Sequence, residues 1–277
     1  MDTGRYASFL FDFDGTLGDD GCLYDGVPEL LRGLLDRRRR VVVVSNNSQR
    51  SGSQISAVIR QAIEVDIPAV TVCDIAHERI LQDLGPSAVV AVSGSAQLRA
   101  TIEASSLAAV GLDASGADAV LLGCSPEFCY GAMTRISALA RRGAKLYCTN
   151  RDASRPVSQT VVPETGALVA AIEAMCDSPW TVLGKPEPAL FLRALELLQA
   201  RPAEAVMIGD GYTTDIEGAT RLGIDCVWAN PSEQAPHMDS ALVGTISGGD
   251  WGTLLAKVTD SEPEGLEGPA FGDPRLR

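Results

Sequence analysis

FLFDFDGTLGD, residues Phe9 to Asp19, decides how the chain is read. Phe9, Leu10, Phe11 and Phe13 form a dense apolar run, and Asp12 and Asp14 are set into its end. Burying a carboxylate without a partner is expensive, so a strand that ends on two acids needs something to offset their charge. Two positions apart in an extended segment, the acids share a face while Phe13 points the other way. Gly15 lets the chain turn sharply, and Thr16 can cap or hydrogen-bond locally. Neighbouring carboxylates repel unless a proton or a cation relieves them. Magnesium, a hard cation that takes oxygen ligands, would do so. Taken alone, the pair reads more simply as a turn with two exposed acids.

Outward from that stretch, other short apolar runs read as buried parallel strands: Ala7–Phe11, Val41–Val44, Trp180–Leu183, Val206–Ile208 and Cys226–Trp228. Helical patterns such as Val27–Arg37 and Pro188–Gln199 lie between them. Strands alternating with helices predict crossover units and a doubly wound parallel α/β sheet, Rossmann-like in class. Ligands in such sheets sit beyond the carboxyl ends of the strands. Asp12, Ser45, Lys185 and Asp210 each follow an apolar run, which is the main architectural clue. A crossover unit needs about 30 residues, and the stretch from Ser45 to Lys185 is several times longer. Within it Ala88–Val92, Ala119–Leu122 and Lys145–Cys148 read as strands and Gly131–Arg142 as a helix. The expected division is therefore a core of residues 1–69 and 181–258, an inserted α/β domain at 70–180, and a flexible tail at 259–277. The basic run Arg37–Arg40 falls at a helix end, where cations complement the helix dipole.

Three further segments carry candidate chemistry. VVVVSNNS places the Ser45 hydroxyl at a strand end, followed by Asn46 and Asn47, and such a loop can hold phosphate oxygens. LGKPEPALF sets Lys185 between a glycine and a proline, a rigid setting from which an ammonium can be aimed. VMIGDGYTTDI supplies Asp210 at another strand end and Asp215 five residues on, a suitable place for a metal ligand and an acid that orients it.

The totals exclude several classes. The chain has 277 residues and a formal net charge of −13, unsuited to a phosphate-backbone partner. No apolar run approaches the roughly 20 residues that cross a bilayer, and MDTGRYASFL lacks the basic start of a signal peptide. The expectation is a cytoplasmic protein with no nucleic-acid or membrane partner. Seven cysteines without framework spacing read as reduced, mostly buried thiols. The two histidines, His77 and His237, form no zinc motif, and no glycine-rich run precedes Lys185 as a P-loop requires.

In chain order, DFDGT (Asp12–Thr16), the serine of SNN (Ser45–Asn47), GKP (Gly184–Pro186) and GDGYTTD (Gly209–Asp215) resemble the four motifs of the haloacid dehalogenase superfamily of phosphohydrolases. The insertion after the second motif is similar to the class IIA cap of its 4-nitrophenylphosphatase-like group, and CTNRD (Cys148–Asp152) resembles a cap loop of that group. The resemblance implies that Asp12 is the nucleophile and forms an aspartyl-phosphate. It implies that Asp14 protonates the leaving oxygen and later deprotonates water. Asp12, Asp210 and the backbone carbonyl of Asp14 would bind Mg2+, and Asp215 would orient that site from behind. Ser45 and the Asn46 backbone would hold the phosphoryl oxygens, and Lys185 would balance charge. Asn47, Asn150, Arg151, Asp152 and Arg155 are the candidate contacts to the rest of a small phosphorylated metabolite. The presence of Asp14 favours phosphate over carbon–halogen chemistry. The resemblance also implies a possible homodimer through the cap. A phosphotransferase or phosphomutase using the same nucleophile, and a non-catalytic protein that binds a phosphorylated metabolite, are the alternatives.

Overall fold

The structure, a computed structural model, describes residues 5–19, 21–157, 160–229, 242–246 and 250–257. The tail at 259–277 and His237 lie outside them. The chain divides into two compact units, one of Met1–Ser45, Gly52–Val70 and Pro188–Arg277, the other of Asn46–Ser51 and Thr71–Glu187.

The first unit is built on a six-stranded sheet in the order Leu242–Ile246, Asp225–Ala229, Ala205–Gly209, Ser8–Phe11, Arg40–Ser45, Ala69–Thr71. Ser8–Phe11 is parallel to both neighbours, with Phe11 opposite Val43 on one side and Ile208 on the other. Strands covered on both faces need apolar side chains at every position, and Phe9–Phe11, Val41–Val44 and Ala205–Ile208 are buried throughout. On one face, Phe9 and Phe11 stack at 6.4 Å. They join Leu30, Leu31 and Leu34 of the Val27–Asp36 helix and Ile55, Ile59 and Ile63 of Gly52–Ile63 in one cluster. Those spacings of three and four residues put each apolar set on one helical face.

Followed along the chain, the sheet grows first to one side of Ser8–Phe11 and then to the other. The order reverses between Ser8–Phe11 and Ala205–Gly209. At such a switch point the crossover connections diverge and leave a crevice beyond the strand ends. The residues leaving these two strands there are Asp12 and Asp210.

The basic run before VVVV does more than end its own helix. Arg37 Nη1 donates to the Gly33 carbonyl at 3.0 Å. Arg40 Nη1 instead reaches Leu198 O at 2.7 Å and Gln199 O at 3.1 Å, at the end of the Pro188–Leu198 helix. Arg39 is buried. The dipole argument holds for a helix far away in the chain, which local spacing could not show.

The second unit carries a five-stranded sheet ordered Trp180–Val182, Lys145–Cys148, Ala119–Leu122, Val89–Ser93, Ala108–Val110, its pairs all parallel. Helices Tyr130–Arg141 and Thr165–Glu173 bury Ile136, Leu139, Val169 and Ile172 in its apolar cluster. Trp180–Val182 belongs to this sheet, with Trp180 opposite Leu146, although residues from 181 onward were expected in the core. A three-residue apolar run states that a strand exists without stating its neighbour. An antiparallel hairpin, Ser154–Val157 with Thr160–Pro163, completes the unit. Among the described residues, no helix is long and apolar enough to cross a membrane.

Candidate active site

In the first unit, Asp12 continues the β-ladder by one bond: its N–H donates to Ile208 O at 2.9 Å. The chain then turns, with Gly15 N–H on Gly18 O at 2.9 Å and Leu17 N–H on Phe13 O at 2.9 Å. Phe13 drives into the core and is 1% exposed, while Asp12 is buried and Asp14 half-buried. Gly15 has φ +88°, and a Cβ there would run into the Asp210 carboxylate. Only glycine meets both conditions.

Thr16 was expected to bond locally. Its hydroxyl instead accepts the Asp210 N–H at 3.1 Å and lies 3.4 Å from Asp210 Oδ1. The Asp210 carbonyl accepts from the indole N–H of Trp228 at 2.8 Å. After Asp210 the chain makes a wide turn, Tyr212–Ile216, that brings Asp215 back so that its Oδ2 accepts the Gly211 N–H at 3.0 Å. A side chain at Gly209 would collide with the Asp215 carboxylate. The glycines of GDG are therefore room for the second acid.

The outcome is a cluster: Asp12, Asp210 and Asp215 each bring one carboxylate oxygen within 4.8 Å of the others. Asp14 takes a different direction, its Oδ2 lying 3.4 Å from the Ser45 hydroxyl. Tyr24 registers the negative field. Burial, and then the charges of Asp19, Asp210, Asp14 and Asp12, push its hydroxyl above the ordinary tyrosine range. Three carboxylates at this separation, two of them buried, repel strongly unless a cation joins them. An all-oxygen donor set suits a hard divalent cation of the magnesium and calcium class. The residues present fit such an ion.

The second unit holds another set of the predicted residues. Asn46 Oδ1 accepts the Lys185 N–H at 2.7 Å, and Asn46 Nδ2 donates to Lys185 O and to Asp152 Oδ2, both at 3.1 Å. Asn150 Nδ2 donates to the Asn46 carbonyl at 3.2 Å. A Cβ on Gly184 would meet Asn46 Oδ1, so the glycine of GKP is what lets this amide approach the backbone. Burial raises the Asp152 carboxyl above its usual range, against the Asn46 donor and the Lys185 charge, which pull it down. Asn47 Oδ1 accepts the N–H groups of Gln49 and Arg50, both at 2.9 Å, and so shapes its own loop. Arg151 pairs with Glu173 at 2.8 Å and Arg155 with Glu164 at 2.8 Å, which engages both guanidinium groups within the unit.

The cysteines are free thiols, four of them buried, and burial pushes Cys73 and Cys148 up to about 12. Neither is poised as a nucleophile. Sequence reasoning did not find Trp228 or Tyr24. Trp228 read only as the end of an apolar strand, and nothing local ties it to Asp210.

A sequence profile of haloacid dehalogenase-like hydrolases matches residues 6–223. The acid sugar phosphatase of Staphylococcus saprophyticus is 27% identical over 229 residues, which cover 80% of this chain and 86% of that protein. Among solved structures, 4-nitrophenylphosphatase from Thermotoga maritima superposes with a TM-score of 0.79 at 25% identity, covering 92% of this chain and 98% of that one. Glycerol phosphate phosphatase from Mycobacterium tuberculosis, 27% identical over 81% of this chain, superposes with TM-scores of 0.72 in complex with calcium and 0.73 in complex with magnesium. This chain spans 66% and 68% of the length of those two chains.

Proposed function

The chain belongs to the haloacid dehalogenase-like hydrolase family and is a phosphoric monoester hydrolase, and from that premise we propose that it removes phosphate from a small sugar or polyol phosphate with the help of Mg2+. The observation that carries the reading is the meeting of Asp12, Asp210 and Asp215 at the switch point of the parallel sheet. The substrate class follows the relatives, one named for sugar phosphates and another for glycerol phosphate.

In this reading an Asp12 carboxylate oxygen attacks phosphorus and forms an aspartyl-phosphate while the bond to the ester oxygen breaks. Asp14 gives its proton to the departing alcohol, then takes one from the water that hydrolyses the intermediate, so the carboxyl ends as it began. The Ser45 hydroxyl, next to Asp14, donates to a phosphoryl oxygen. Asp12, Asp210 and the backbone carbonyl of Asp14 would hold the cation, and Asp215, whose carboxylate lies within 4.8 Å of both acids, would join them rather than only orient the site from behind. When bound, such an ion would supply positive charge to offset that of the phosphoryl oxygens and the acids around them. The roles that the family resemblance implies for Asn46 and Lys185 remain part of this proposal, as does a cytoplasmic location, with which free thiols accord.

The test is a phosphate-release screen over sugar phosphates, glycerol phosphates and nucleoside monophosphates, with and without magnesium. Release from sugar or polyol esters in magnesium is expected. Folded protein that releases phosphate from none of these esters refutes the assignment, and transfer to an added alcohol without free phosphate points to a phosphotransferase instead.

Gly15→Ala probes the geometry. The positive φ costs about 1–2 kcal/mol with a Cβ, and the new methyl displaces the Asp210 carboxylate. A shift of one ångström in a catalytic group can cost about 100-fold. We therefore expect a loss of that order in kcat/KM, larger than the drop in thermal midpoint explains. Wild-type kinetics in Gly15→Ala would show that Asp210 is not confined by this turn.

A further inference from the structure

The direction in which Asp210 presents its carboxylate is set by the two peptide planes that flank it. The plane before it is held through the Asp210 N–H, which Thr16 Oγ1 accepts at 3.1 Å. The plane after it is held at both edges. Its carbonyl accepts from Trp228 Nε1 at 2.8 Å, and its N–H, on Gly211, donates to Asp215 Oδ2 at 3.0 Å. A trans peptide points these two groups in opposite directions, so the indole and the carboxylate clamp one plane from opposite sides. With both planes pinned, φ and ψ of Asp210 have little freedom, and its Cα–Cβ bond is aimed by the scaffold.

Trp228 can reach because Asp225–Ala229 runs parallel to and beside Ala205–Gly209, with Trp228 opposite Gly209. The indole is nearly buried, 5% exposed, and Tyr212 sits edge-on to it at 5.1 Å between ring centroids. That contact limits rotation of the ring about its side-chain bonds. Thr16 is 1% exposed. Hydrogen bonds in so sheltered a place are strong relative to the same bonds in water.

We propose that Trp228 and Thr16 are positioning residues that pre-set the cation site by fixing the backbone on either side of Asp210. The inference rests on the assignment of Asp12, Asp210 and Asp215 as the cation-holding acids. Trp228 acts through its N–H, and Thr16 through its hydroxyl.

The experiment measures divalent-cation affinity directly, by calorimetric titration of the substrate-free enzyme with Mg2+ and by the electron paramagnetic resonance signal of free Mn2+. Trp228→Phe keeps an aromatic ring and deletes the donor. Thr16→Val keeps the shape and deletes the hydroxyl, and Thr16→Ser restores it. Loss of a group that orients metal ligands typically weakens binding by about 10-fold or more. That rise in Kd is expected for Trp228→Phe and Thr16→Val, with Thr16→Ser close to wild type. Thermal unfolding without cation supplies the control. If Trp228→Phe does not fold, the Thr16 pair decides the matter alone. Folded variants whose Kd stays within about twofold of wild type overturn the positioning role, the span being far below the usual effect. Wild-type enzyme that binds neither ion overturns the underlying assignment, a distinguishable failure.

Discussion

Asp12→Asn is expected to reduce phosphate release by about 10³-fold or more, the scale on which removal of a nucleophile is felt, while the protein remains folded. The carboxamide has nearly the carboxylate's shape but no charge, and it is a poor nucleophile toward phosphorus. The backbone at this position keeps its place, because the Asp12 N–H bond to Ile208 O does not involve the side chain. Stability should even rise when no cation is present. Asp12, Asp210 and Asp215 lie within 4.8 Å of one another, and neutralising one of three like charges relieves repulsion. Thermal unfolding without added metal should therefore give a midpoint at or above that of the parent. Phosphate release and unfolding, measured on the same preparation, separate lost chemistry from lost fold. Turnover near the parent's would reject Asp12 as nucleophile.

The second large effect is that of metal removal. Exhaustive chelation should abolish phosphate release, and added Mg2+ should restore it. At an effective dielectric of 20, two unit charges about 5 Å apart repel by on the order of 3 kcal/mol before screening. A cluster of three acids, approached by a doubly negative phosphate ester, compounds that barrier. Restoring the cation should also raise the thermal midpoint as its concentration increases, since a ligand of the folded state stabilises it by mass action. Asp210→Asn should blunt both responses. Full activity after chelation, with no thermal response to Mg2+, would mean that the acid cluster serves some purpose other than holding a cation.

How much of this was legible without coordinates depends on the range of the interaction. The α/β class was, because buried parallel strands need unbroken apolar runs and VVVV and VMIG supply them. The candidate acids were too, because an acid at the end of an apolar strand is conspicuous when its alternative is an unpaired buried charge. Arg151 and Arg155 were visible only as charges. Their pairing with Glu173 and Glu164 is a matter of which helix and hairpin lie beside them. Trp180–Val182 likewise showed itself as a strand and concealed its sheet.

The apolar runs determined the fold class and the acids at strand ends, and the four short motifs carried the resemblance to the family, since each run and each motif is written in residues close together in the chain. Only the tertiary structure decided that Thr16 and Trp228 meet Asp210, that Arg40 serves the end of a distant helix, and that Asp215 brings a carboxylate oxygen within 4.8 Å of both Asp12 and Asp210. The bond between Thr16 and Asp210 alone joins residues 194 positions apart, and no local pattern encodes it. The contacts around Asp210 exist because parallel pairing carries the carboxyl ends of separate strands to one edge of the sheet, where side chains that never neighbour each other in sequence come within hydrogen-bonding distance.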